Sequence, residues 1–88
     1  MSKYTLILSK KADKILHSFS DNIANPIYET ISDLANNPRP MGYIKLHGME
    51  NTFRVRSGNY RIVYEIIDDK LIIHIINIGH RKDIYKNN

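Results

Sequence analysis

Gly58-Asn59 lies between two β-rich runs, Phe53-Arg54-Val55-Arg56-Ser57 before it and Tyr60-Arg61-Ile62-Val63-Tyr64 after it. A glycine-asparagine pair in that setting signals a two-residue hairpin, because a reversal that matches the strand twist needs residues tolerant of positive φ. The hairpin fixes the register on both sides: Ser57 faces Tyr60, and counting outward puts Arg56 opposite Arg61. Side chains alternate faces along a strand. Phe53, Val55, Tyr60, Ile62 and Tyr64 therefore share one face, and Arg54, Arg56, Arg61, Val63 and Glu65 share the other. Directly opposed residues have Cβ atoms about 4.5 to 5.5 Å apart, and like charges there are destabilising. A polyanion removes that penalty, so the arginine face reads as a phosphate site.

The remaining elements follow from periodicity. Tyr4 to Leu8 is a short apolar strand, and Ser9 can cap a helix whose Ala12, Ile15, Leu16 and Phe19 recur at helical spacing. Asn25-Pro26 offers a cap followed by proline at a first helical position, with Ile23 and Ala24 as a possible backward extension. Ile27, Ile31, Leu34 and Ala35 supply the second stripe, and Asn36-Asn37-Pro38-Arg39-Pro40 ends it. Four strands are expected after that: Tyr43 to His47, Phe53 to Ser57, Tyr60 to Ile67 and Leu71 to Ile78, with Asp68-Asp69 as the second tight turn. Helices followed by a run of strands predict a single α+β domain over 1–88. Its two N-terminal helices would pack on one face of an antiparallel, mostly meander sheet in the order β-α-α-β-β-β-β. An even loop at Asp68-Asp69 would add His74, Ile76 and Ile78 to the arginine face, leaving that face basic at one end and apolar at the other. An uncovered apolar area of this kind suggests a protein partner.

The 88 residues are 42% hydrophobic, enough for one core. There is no cysteine, and His17, His47, His74 and His80 lack ligand-like spacing, so neither a disulfide framework nor a metal site is expected. No apolar run approaches the roughly 20 residues that span a bilayer, and the N-terminus lacks the pattern of a secretory signal. The expected location is the cytoplasm. The net charge of +4 is unevenly spread, with +1 before Gly42 and +3 from Gly42 onward, where four of the five arginines lie. Arginine forks onto phosphate, which marks the second half as the place for chemistry.

Together, Lys45-Leu46-His47-Gly48, Phe53-Arg54-Val55-Arg56, Gly58-Asn59-Tyr60-Arg61-Ile62-Val63-Tyr64 and Ile78-Gly79-His80-Arg81-Lys82-Asp83-Ile84-Tyr85 resemble the RelE/ParE toxin superfamily over nearly the whole chain. The resemblance to the RelE side implies a ribosome-dependent endoribonuclease that cuts mRNA in the A site. The implied partners are the ribosome, mRNA and a cognate antitoxin, with no cofactor. Ribose 2′-OH attack on the adjacent phosphorus would give a 2′,3′-cyclic phosphate and a free 5′-OH. The resemblance assigns phosphate stabilisation to Arg61 and Arg81, the C-terminal aromatic to Tyr85, and the two basic strand positions to Arg54 and Arg56. The best-studied pattern has lysines at those last two positions, one of them thought to help deprotonate the attacking hydroxyl. Arginine stays charged, with a pKa above about 12, so Arg56 reads as a phosphate holder and the proton acceptor is left open.

His80 is a candidate proton carrier because an imidazole titrates near about 6.5. Tyr85 either stacks on a base or tethers the tail. Lys45 either contacts RNA phosphates or is a solvated strand lysine, and His47 either joins it or is a turn residue before Gly48. Two other readings belong to the same superfamily: a ParE-like inhibitor of DNA gyrase, which is not an enzyme, and an inactive homologue that acts only with its antitoxin in autoregulation.

Overall fold

The computed structural model describes residues 3–80. The strand β1 (Thr5–Leu8) leads into the helices α1 (Lys10–Ser18) and α2 (Asp21–Asn36), followed by β2 (Ile44–Lys45), β3 (Thr52–Ser57), β4 (Tyr60–Ile67) and β5 (Ile72–His80). The five strands form one sheet in the order β1-β5-β4-β3-β2. Strands β2 to β5 are the expected antiparallel meander, whereas β1 lies parallel to β5, with Leu6 beside Ile73. Among the described residues, no helix is long and apolar enough to cross a membrane.

Both helices cover the face predicted for them. Ser9 caps α1, its hydroxyl accepting the Ala12 N–H at 3.0 Å. Leu16 of α1 and Ile27, Ile31 and Leu34 of α2 are buried against Phe53, Val55, Ile62, Tyr64, Ile66, Ile73 and Ile75 of the sheet. Of the two starts offered for α2, the structure has the backward extension through Ile23 and Ala24 and not the Asn25 cap: the helix begins at Asp21 with Ser20 as its N-cap, and Pro26 lies inside it. The Ser20 carbonyl accepts the Ile23 and Ala24 N–H groups at 3.0 and 2.9 Å, and Ala24 is buried, so the extra turn has its own hydrogen bonds and its own burial. Proline there forfeits one bond to the carbonyl of Asn22, an exposed residue open to water.

Strand β2 is shorter than the predicted Tyr43 to His47 because the chain turns at glycines on either side, Gly42 at φ +90° and Gly48 at φ +77°. The connection from β4 to β5 is also longer than a two-residue turn. A 3-10 turn at Asp68–Lys70 is followed by Leu71 in the left-handed region at φ 54°. The parity of the connection is still even, so His74 reaches the arginine face, opposite Glu65, with its Nδ1 3.6 Å from the carboxylate.

A β-bulge then changes the alternation. Tyr64 pairs with Ile75 but Val63 pairs with Asn77, which leaves Ile76 as an extra residue in β5. Ile78 consequently faces the core opposite Ile62 and is buried, and does not join the arginine face as alternation alone had predicted. The bulge is fastened to α1: the Ser9 hydroxyl donates to the Ile76 carbonyl at 2.7 Å while accepting from Ala12.

Candidate phosphate-binding cleft

The β3-β4 hairpin has the predicted register. Ser57 faces Tyr60 and Arg56 faces Arg61, and Gly58 takes φ +60°, the conformation for which a tight hairpin turn uses glycine. On its other side Arg61 is paired with Gly79 of β5. The guanidinium-bearing residue is thus flanked by a second cation and by a residue without a side chain. Arg61 is only 8% exposed, while Arg56 is exposed and Arg54 half-buried.

These three arginines line one cleft of about 550 Å³, whose other lining residues are Met41, Gly42, Ile44 and Val55. Ile44 enters through its pairing with Arg54 across β2 and β3. Opposed guanidinium groups in a concave, partly desolvated site attract an oxyanion far more strongly than they would in bulk water. The cleft is therefore suited to hold a phosphate and to stabilise negative charge that builds on it.

The loop that carries Met41 and Gly42 is held from both ends. The fully buried Tyr64 donates its hydroxyl to the Pro38 carbonyl at 2.7 Å, and Tyr43 stacks on Phe53 with ring centroids 5.5 Å apart. Arg39 pairs with Asp68 at 2.9 Å, and Asp68 also accepts the Tyr4 hydroxyl at 2.7 Å. Sequence reading missed this triad because its members are 64 and 29 residues apart and no local pattern links them.

The Arg39 guanidinium, with the Tyr4 hydroxyl behind it, holds the Asp68 carboxyl below the ordinary carboxylate range. A depressed folded-state pKa contributes stability above the unfolded value of about 3.9, and that contribution is lost as pH falls through the folded value. Thermal midpoints of wild type and Asp68→Asn are expected to differ near neutrality and to converge on acidification below about pH 4. A difference that persists in acid would rule out the ion pair as its source.

The other predicted residues are distributed unevenly. Lys45 pairs with Phe53 and so lies on the face opposite Arg54; it is exposed at the edge of the sheet. His47 is an exposed turn residue just before Gly48. His80 pairs with Tyr60, and the two rings meet edge to face at 5.5 Å, with Tyr60 in turn 5.1 Å from Phe19. That contact places His80 on the helix side of the sheet, away from Arg61. The structure thus brings together Arg54, Arg56 and Arg61 but not Lys45, His47 or His80. Arg81 and Tyr85 lie outside the described residues. The site residues that sequence reading overlooked are Met41 and Ile44; their exposure at the cleft follows from the Gly42 turn and the short β2, neither of which has a periodic signature.

The fold, a five-stranded sheet with two helices on one face, is shared with solved structures of small toxins. The family profile described as "ParE toxin of type II toxin-antitoxin system, parDE" matches residues 6–85. Toxin RelG of Mycobacterium tuberculosis is 31% identical over 84 residues, covering 94% of this chain and 97% of RelG. The mRNA interferase toxin RelE of Escherichia coli K12 is 27% identical over 81 residues, covering 90% and 84%. Among solved structures, the archaeal RelE-RelB complex from Pyrococcus horikoshii OT3 matches with a TM-score of 0.80 at 26% identity, covering 92% of this chain and 98% of that one. The RelBE2 toxin-antitoxin complex of M. tuberculosis matches at 0.78 and 30%, covering 94% and 97%. The chain belongs to the RelE/ParE family of type II toxins. Within that family it is RelE-like, a toxin of a RelBE-type toxin-antitoxin system.

Proposed function

We propose that this toxin is a ribosome-dependent endoribonuclease that cuts mRNA in the A site. The observation that carries the reading is the cleft in which Arg54, Arg56 and Arg61 meet. The E. coli relative is named an mRNA interferase, and the chemistry of such a cut matches the cleft. The ribose 2′-oxygen forms a bond to the adjacent phosphorus as its proton leaves. The bond to the 5′-oxygen breaks, and that oxygen takes up a proton. Charge gathers on the phosphoryl oxygens, where fixed guanidinium groups stabilise it. Arg61 and Arg81 take that role, Arg56 and Arg54 hold the RNA backbone, and Tyr85 stacks on a splayed base. A cognate antitoxin is the proposed partner that masks this surface, in keeping with the RelE-RelB and RelBE2 complexes of the relatives. The proposed place of action is the cytoplasm, where mRNA is translated.

The test is primer extension on an mRNA in a translating extract, comparing wild type with Arg81→Ala. In-frame codon cuts that disappear in the variant are expected. Intact mRNA together with inhibited gyrase supercoiling would overturn the nuclease reading in favour of the ParE-like one, which the family profile also covers. Intact mRNA with unaffected gyrase would point to an inactive partner.

Among the described residues lining the cleft there is no carboxylate or imidazole, and the His80 ring sits against Tyr60 on the opposite face. Single-turnover cleavage is therefore expected to rise with pH without an inflection near the imidazole value of about 6.5. His80→Gln should leave the shape of the profile unchanged. An inflection near that value that vanishes in His80→Gln would instead make His80 the proton acceptor.

A further inference from the structure

The cleft lining is of two kinds, a cationic part in Arg54, Arg56 and Arg61 and an apolar part in Met41 and Ile44, with Ile44 beside Arg54 across β2 and β3. Met41 is completely exposed and Ile44 is 48% exposed. Their exposure is not the slack of a loose loop. The Pro38 carbonyl is held by Tyr64, Arg39 by Asp68, and the Tyr43 N–H donates to the Pro40 carbonyl at 3.1 Å. Gly42 at φ +90° sets the turn between the two apolar residues. The volume of about 550 Å³ falls within the roughly 300 to 1,000 Å³ typical of sites for ligands larger than a single anion.

A ligand that suits both parts carries an anionic group and, beside it, a flat, weakly polar group. A nucleotide within an RNA strand has that form. We propose that Met41 and Ile44 are a platform for the nucleobase next to the arginine-held phosphate, and that this apolar part contributes to the choice of codon. The proposal rests on the nuclease reading above and assigns its base-recognition surface. A polarisable thioether packs well against aromatic rings in several orientations, and a β-branched neighbour held in a strand gives the platform a stiff edge. The guanidinium part binds any phosphate alike, so selectivity among sequences has to come from a surface that touches the base.

The experiment is primer extension in a translating extract on one mRNA containing many different in-frame codons, with wild type, Met41→Gln/Ile44→Thr and Met41→Leu compared. Relative to wild type, the double variant is expected to lose about two- to tenfold of its cutting at the preferred codons, in line with the strength of a thioether-aromatic contact. Weakly cut codons should change little, and Met41→Leu, which keeps an apolar side chain but loses the polarisable sulfur, should fall between wild type and the double variant. A purely structural defect would lower every codon by the same factor, and that outcome overturns the platform, as does an unchanged pattern. An unchanged pattern accompanied by weakened binding of the cognate antitoxin would assign this apolar part to the protein partner and overturn the platform too. If the wild type makes no cut at all, the nuclease reading fails first and the platform fails with it.

Discussion

Under the proposed nuclease function, Arg61→Ala is expected to reduce codon-specific cleavage by about 10²- to 10³-fold, the typical cost of removing one preorganised group that stabilises transition-state charge. Among the described residues Arg61 is the most deeply buried arginine, and its neighbours make it suited to the task. Arg56 stands opposite on one side and Gly79 on the other, so an oxyanion can approach without displacing a side chain from β5. Arg61→Lys, which keeps the charge but loses the planar fork, should fall between wild type and Arg61→Ala. Arg56→Ala should be milder in activity. It also removes one of two opposed like charges, so its thermal midpoint is expected to hold or rise while cleavage drops. Single-turnover rates on stalled ribosomes check the series. Wild-type rates in Arg61→Ala would remove this residue from the chemistry.

Ile62→Ala carries the largest expected effect on stability. Ile62 is the next residue along β4, fully buried, paired with Val55 and Ile78 and enclosed beneath the helices. Truncating a buried isoleucine to alanine costs about 2 to 5 kcal/mol, through lost transfer energy and the cavity left behind. For a chain of this length the total stability is only roughly 4 to 13 kcal/mol. The melting midpoint should drop by roughly 10 to 30 °C, as read by circular dichroism or calorimetry. Adjacent residues on one strand thus separate cleanly: Arg61→Ala is expected to cost activity in a protein that stays folded, and Ile62→Ala to cost stability with every arginine of the cleft retained. A drop in midpoint of only a degree or two in Ile62→Ala would mean that this part of the core can collapse around the gap.

The hairpin was legible because its information is local. Gly58-Asn59 and the alternation on either side specify the Arg56-Arg61 pairing without reference to distant residues. The stripes of both helices were legible for the same reason, since Leu16, Ile27, Ile31 and Leu34 lie at helical spacing and all are buried. What local pattern could not supply was position decided by tertiary contact. The backward extension of α2 to Asp21 depends on burial of Ala24, and the parallel pairing of β1 with β5 joins residues far apart in the chain. His80 looked like a neighbour of Arg81 in sequence, yet its ring packs on Tyr60 across the sheet. Lys45 likewise falls on the far face through its pairing with Phe53. The arginines of the cleft were readable; the loop that makes it a cleft was not, because Tyr64 and Asp68 hold that loop from a different part of the fold.

The extra residue in β5 works as a frame shift within a single strand. Before Ile76, the pairs Ile67 with Ile72 through Tyr64 with Ile75 obey one count; beyond it, Val63 with Asn77 through Tyr60 with His80 obey another. Had the first count run on, Asn77 would have been opposite Ile62 in the oily interior, and Ile78 would have stood beside Arg61 where Gly79 now leaves space. One surplus peptide unit therefore lets the same strand keep an isoleucine for the core and a bare backbone for the anion. Straightening the bulge with the sequence unchanged would undo both assignments at a stroke.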